Sequence, residues 1–193
     1  FDPIKDFLPV ARLVSFSNIL VVRSTLPVNS VKELVEYVKA RPDKVTYGSP
    51  GAGGSPHMAM VMFNQMAGLK LVHVPYKGAA PALTDLMGGQ VDLLCDQTTQ
   101  TISVVKDNRV KVYGTTTPKR LSALPNVPTL DQEGLKGFEV KVWHGMYTPK
   151  GVPQPILDKL NAALKKSLTS PDVKKRLEDA NIDIVPVSKI SAN

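Results

Sequence analysis

Short runs of β-branched and other apolar residues alternate along this chain with longer segments in which apolar residues recur at helical spacing. The runs predict strands at 12–15, 19–23, 45–48, 71–74, 91–95, 110–115, 138–146 and 182–186. Strands that alternate with helices in this way are typical of an α/β fold with a mainly parallel sheet. We therefore expect the chemistry of the chain to lie at the ends of such strands.

Several helix ends carry recognisable signals. Ser30 and Glu33 form a capping-box pattern ahead of an apolar stripe. Ser55 is expected to cap the next helix, with Pro56 as its first residue and Gly68 at its end. Further helices are predicted from Pro81 to the glycines at 88–89, and at 153–167 and 171–180.

Composition narrows the class of protein. The chain has 193 residues, of which 42% are hydrophobic and 21% charged, and a formal net charge of +7, as expected for a folded globular protein with a basic surface. The basic residues are scattered and aromatic residues make up only 6%, which argues against nucleic-acid binding. The single cysteine, Cys95, lies in an apolar run and is expected to be a buried small hydrophobe. The histidines show no metal-ligand spacing.

A glycine-rich segment at 47–57 runs from a predicted strand into a predicted helix. Glycines allow a ligand to approach the backbone, and the free N–H groups of the helix start favour an anion. The segment has Pro56 where a dinucleotide fingerprint needs glycine, and it lacks a Walker lysine. Ser55 with His57 would suit a small hydrolase, although His57 stands where a nucleophile elbow has glycine.

Two later segments have the same arrangement of strand end and loop. In a right-handed parallel arrangement, the loop at 49–55, the loop at 76–78 and Asp96 should converge at one edge of the sheet. Together they would offer backbone donors, hydroxyls, one cation and one carboxylate to a small molecule. Lys77 is either a ligand contact or a solvated loop lysine. Asp96 either binds an ammonium or hydroxyl group or caps the following helix, where Thr98 and Thr99 compete for that place.

These residues resemble a known family. The blocks at 47–57, 74–78, 88–92, 118–120, 125–129 and 143–151 occur in family order and are similar to the extracytoplasmic solute receptors of tripartite tricarboxylate transporters, the Bug or TctC-like family. The resemblance implies a non-enzymatic periplasmic protein without a cofactor or metal, which binds a small carboxylate and delivers it to the membrane permease subunits. It implies an α/β fold of the two-lobed type II periplasmic-binding-protein class.

The resemblance also carries over a ligand site and a lobe layout. The expected ligand-binding residues are Ser49, Gly51, Gly53, Gly54, Ser55, His57, Tyr76, Lys77, Gly78 and Asp96. The second lobe is expected to be near complete at 18–113, followed by a hinge at 114–117. Residues 1–17 and 118–193 would be the remnant of a truncated first lobe, since the family's leading strand and its final helix are not matched in this sequence.

An exposed sheet edge in such a truncated lobe predicts dimerisation. Two other functions stay open from the residues: a ligand-sensing module of a regulatory system and, less favoured, a small serine hydrolase.

Overall fold

The computed structural model describes residues 1–180, 182–186 and 190, and its first strand, β1 (Phe7–Arg23), is 17 residues long. The sequence predicted two strands here, but neither glycine nor proline separates 15 from 19, so the extended backbone continues. The chain divides into two compact units. Unit 1 comprises residues 1–16 and those from 142 onward, and unit 2 comprises 17–141, so β1 contributes to both.

Unit 2 alternates helices and strands as predicted. After β1 come α1 (Val31–Lys39), β2 (Thr46–Ser49), α2 (Ser55–Met66), β3 (Val72–Pro75), α3 (Ala79–Met87), β4 (Leu93–Gln97), α4 (Thr98–Lys106) and β5 (Val110–Thr115). The strand order in the sheet is β3-β2-β4-β1-β5.

The sheet of unit 2 is mixed rather than mainly parallel. Strand β2 runs parallel to β3 and β4, whereas β1 is antiparallel to both β4 and β5. The helical crossovers that impose parallel pairing join consecutive strands, but β1 pairs with strands that follow much later in the chain. The carboxyl ends of β2, β3, β4 and β5 nevertheless share one edge. The loops that follow β2 and β3 and the end of β4 therefore lie at the same edge of the sheet, as expected from the sequence.

The two faces of this sheet are covered by different helices. Leu20 and Val22 pack in a cluster that includes residues of α1 and α2, whereas Ile19 and Val21 pack in a cluster that includes residues of α3 and α4. This alternation along β1 is the period of two that a buried strand imposes. Cys95 lies in the first cluster at 1% exposure, and burial, reinforced by the charge of Asp96, raises the pKa of its thiol. The buried role expected for this cysteine is confirmed.

The helix-end signals are confirmed with one exception. Ser30 caps α1 by accepting the Glu33 N–H at 3.1 Å, while the Glu33 carboxylate accepts the N–H of Asn29. The helices α2 and α3 end just before Gly68 and Gly88. The prediction for Ser55 is wrong: Gly54 is the N-cap of α2 and Ser55 is its first helical residue.

The segment after β5 packs within unit 2. Thr115 donates its N–H to Pro128 O and accepts that of Leu130, and Val140 N–H bonds Thr116 O at 2.8 Å. The absence of a Cβ at Gly114 leaves room for Leu130, whose Cδ2 would lie 2.5 Å from an added Cβ. Unit 2 therefore extends past the predicted hinge at 114–117 to residue 141.

Unit 1 contains the first part of β1 with β6 (Lys141–Pro149), α5 (Gln154–Thr169), α6 (Pro171–Asp179) and β7 (Asp183–Ile184). Strand β7 pairs antiparallel with β1 at Val14 and Ser15. Asn161 of α5 ties the unit together by donating its side-chain amide to Val10 O at 2.8 Å. The sequence was expected to stop shortly after its last strand, at 191–193, without the family's final helix. Residues 191–193 lie outside the described part of the chain.

None of the helices in the described part of the chain has both the length and the apolar character that a membrane crossing requires.

Candidate functional site

The glycine-rich loop between β2 and α2 is tied down by short hydrogen bonds. Ser49, at the end of β2 and fully buried, donates its hydroxyl to Gly51 O at 3.1 Å. Gly53 has φ +81°, a conformation that favours glycine, and its N–H donates to His57 Nδ1 at 3.0 Å. The loop is thus fixed from both ends, and its backbone is preorganised to meet a ligand.

Three aromatic rings are stacked beneath this loop. The rings of His57 and His73 have centroids 4.1 Å apart, and Tyr47 stacks on His73 at 4.8 Å. Since the hydroxyl hydrogen of Ser49 is donated to Gly51, His73 donates its Nε2–H to Ser49 Oγ across 2.7 Å. Burial, followed by the proximity of His57, lowers the pKa of His73. The neutral ring that this favours is the form that stacks without charge repulsion.

The loop after β3 is joined to the glycine-rich loop. Tyr76 and Gly78 donate their N–H groups to Ser49 O and Pro50 O, both at 2.9 Å. The Tyr76 hydroxyl donates to Asp85 Oδ2 at 2.8 Å, and Gly78 has φ +115°, which again favours glycine. The two loops therefore form one rigid support.

Asp96, near the end of β4, is a buried carboxylate at 1% exposure. Its Oδ1 accepts the Gln97 N–H at 2.8 Å and its Oδ2 accepts the Thr101 hydroxyl at 3.3 Å. Burial raises the pKa of Asp96 to about 6, and these two hydrogen bonds oppose the rise. None of the ion pairs among the described residues includes this carboxylate.

These segments enclose a cleft of ≈ 500 Å³ within unit 2. It is lined by Pro50, Gly51, Ala52, Gly54, Ser55, Pro56, Ala79, Ala80, Asp96, Gln97 and Gln100. The helices α2, α3 and α4 all begin at this cleft, and in this described region none of their three N-cap residues makes a capping hydrogen bond with its own side chain. The N–H groups of their first turns have no intrahelical partner either, so an anion in the cleft would meet several backbone donors.

The predicted site residues fall into two groups. Gly51, Gly54, Ser55 and Asp96 line the cleft. Ser49, Gly53, His57, Tyr76 and Gly78 lie behind it, where they fix the two loops through the hydrogen bonds and stacking described above. Lys77 is exposed and does not line the cleft.

The sequence did not predict Ala79, Ala80, Gln97 or Gln100. The two alanines line the cleft but have no polar side-chain atom, so the sequence offered no chemical signal for them. Gln97 directly follows the predicted strand end at Asp96, and Gln100 lies three residues further on, so their nearness to that strand end was the signal available for them. Asp96 itself caps α4 only indirectly: Gln97 is the N-cap, and neither Thr98 nor Thr99 takes that place.

This arrangement suits reversible binding of a small anion. His57 accepts the Gly53 N–H at Nδ1 and stacks on His73, so this ring nitrogen is turned to the loop rather than to the Ser55 hydroxyl. Groups of three or more metal-ligating side chains are not found among the residues that the structure describes. The cleft supplies backbone donors, the neutral amides of Gln97 and Gln100, and the Asp96 carboxylate.

Comparisons with known proteins all indicate the same protein family. Residues 1–192 match the model of the tripartite tricarboxylate transporter family receptor, TctC. A UPF0065 protein of Agrobacterium vitis is 41% identical over 189 residues, covering 98% of this chain and 54% of the relative. The chain spans about half the length of most of the curated relatives it matches.

Two solved structures superpose over the whole chain. The periplasmic binding protein BugD has a TM-score of 0.90 and 39% identity, over 100% of this chain and 64% of that one. MatC from Rhodopseudomonas palustris, solved with bound malate, has a TM-score of 0.91 and 33% identity, over 100% of this chain and 65% of that one.

Proposed function

The chain belongs to the TctC family of tripartite tricarboxylate transporter receptors, and on that premise we propose that its cleft captures a small carboxylate for transport. Members of this family are solute-binding receptors, so the proposal concerns the ligand, its site and its destination. The protein would act in the periplasm and hand the bound acid to the membrane subunits of its transporter.

One observation carries the proposal: the starts of α2 and α3 meet at the same cleft beside the glycine-rich loop. Both helices lack a side-chain cap in the region described, and their first-turn residues Ser55, Ala79 and Ala80 line the cleft. Hydrogen bonds from N–H groups to a charged acceptor contribute about 1.5–3 kcal/mol each. A few of them suffice to hold a carboxylate without any cationic side chain.

The basic surface supports the same ligand class. The formal charge of +7 attracts small anions to the protein from a distance, while the exposed Lys77 remains free of the cleft. The basic surface thus attracts the anion from a distance, and the backbone of the cleft recognises it.

The test is to remove one backbone donor and leave the helix intact. Ala79→Pro deletes the N–H of the first residue of α3, a position where proline is well accommodated. The preceding Gly78 has ψ 173°, an extended value that is compatible with a following proline. We expect Ala79→Pro to bind malate at least about tenfold more weakly in calorimetry, because a charge-assisted hydrogen bond is lost.

The matched control is Gln154→Pro, which makes the same substitution at the first residue of α5 in unit 1. It should bind malate as the unmodified chain does. Malate at about 100 times its Kd should stabilise the unmodified chain by about 2.7 kcal/mol in a thermal-shift assay. The proposal fails if neither malate nor adipate nor succinate stabilises the chain, or if Ala79→Pro binds malate normally.

A further inference from the structure

The three helix starts at the cleft are not electrically equivalent. The positive ends of α2 and α3 face the cleft with no acidic residue in their first turns. At α4 the Asp96 carboxylate lies beside the helix start and accepts the Gln97 N–H at 2.8 Å. Its negative charge offsets the positive end of α4. The cleft therefore has an anion-binding side at α2 and α3 and a different side at α4.

The α4 side carries several hydrogen-bond acceptors, one of them charged. Asp96 is 1% exposed, accepts one hydrogen bond on each oxygen, and forms no ion pair among the described residues. Gln97 and Gln100, one helical turn apart, also line the cleft, and their amide oxygens accept hydrogen bonds as well. A second carboxylate against this side would face the Asp96 charge, whereas a hydroxyl or ammonium group would meet acceptors.

We infer that the cleft selects small carboxylates that carry a hydrogen-bond donor on the carbon chain, and that the wall formed by Asp96, Gln97 and Gln100 receives this donor. The inference rests on the proposed function, since the carboxylate of the same ligand occupies the α2 and α3 side. Hydroxy acids and amino acids share the required chemistry, and the donor, rather than the length of the acid, sets the preference.

The experiment compares three acids that differ only at one carbon: malate bears a hydroxyl there, aspartate an ammonium and succinate a hydrogen. Calorimetry on the whole chain should show malate or aspartate binding about tenfold or more tightly than succinate, because a hydrogen bond to a charged group contributes at least that factor. A hydroxyl preference and an ammonium preference are separated by the malate and aspartate arms.

Two variants assign the preference to the wall. Asp96→Asn keeps an acceptor for the Gln97 N–H, and Gln100→Ala changes an exposed side chain. Both should reduce the ratio of malate or aspartate affinity to succinate affinity towards one, with succinate binding little changed. Gln65→Ala, an exposed glutamine on α2 outside the cleft, should leave the ratio unchanged.

The possible outcomes distinguish the donor preference of the wall from the carboxylate site itself. If malate, aspartate and succinate bind equally well, or if the wall variants weaken all three by the same factor, this inference is overturned and the carboxylate site stands. If none of the three binds and adipate does not bind either, the carboxylate site and the inference fall together.

Discussion

Replacing Asp96 by asparagine should change how the stability of the fold depends on pH. Burial raises the pKa of Asp96 from the ordinary 3.8 to about 6, which corresponds to about 3 kcal/mol of preference for the protonated form in the folded state. This stability is fully present below pH 3.8 and is lost as the pH rises through about 6. Asparagine has no such titration, and it can still accept the Gln97 N–H and bond Thr101.

The assay is urea unfolding of the unmodified chain and of Asp96→Asn at several pH values between 4 and 7. The variant should gain stability relative to the unmodified chain as the pH rises, by about 2 kcal/mol across this range. Asp107→Asn, an exposed change at the end of α4, is the matched control and should show a nearly constant difference. A constant difference for Asp96→Asn as well would refute the assignment of a buried, destabilised charge at this position.

Three further results are expected. Ser30→Ala should lower the free energy of unfolding by about 1 kcal/mol in urea titrations, because the cap of α1 is lost; Ser170→Ala, at a helix start whose serine makes no cap bond, should cost less. Gly114→Ala should cost about 1–3 kcal/mol, because the new methyl group would meet Leu130 Cδ2 at 2.5 Å; Gly51→Ala, where an added Cβ contacts nothing within 4 Å, should leave the melting temperature nearly unchanged. Carboxylate affinity measured by calorimetry should fall only modestly, less than about tenfold, between low and high salt, since partly buried backbone donors are screened less than exposed lysines; a steeper loss would assign the binding to surface charge.

Local signals in the sequence predicted most of the elements of unit 2. The Ser30 cap depends on residues three apart, and Gly68 and Gly89 follow their helices with the positive φ that glycine accommodates, so these features need no knowledge of the rest of the chain. The direction of β1 could not be predicted this way. It is fixed by pairing with β4 and β5, whose paired residues lie 71 to 96 positions later in the chain.

The site was predictable to the extent that its residues have distinctive chemistry. The glycine-rich loop and Asp96 were found for that reason. The supporting role of Ser49 depends on its contact with His73, which the register of β2 against β3 creates and the spacing along the chain does not reveal. The contribution proposed for Ala79 is a backbone N–H, which any residue except proline would supply. The assignment of the two lobes and the predicted dimerisation remain predictions.

The position of β3 at the end of the strand order bears on solubility. A terminal strand offers one row of backbone groups to any other chain, and long flat edges of this kind promote aggregation. Strand β3 has only four residues, and its last, Pro75, has no N–H to donate. The strand that carries His73 beneath the ligand loop is thus also poorly suited to recruit a second sheet.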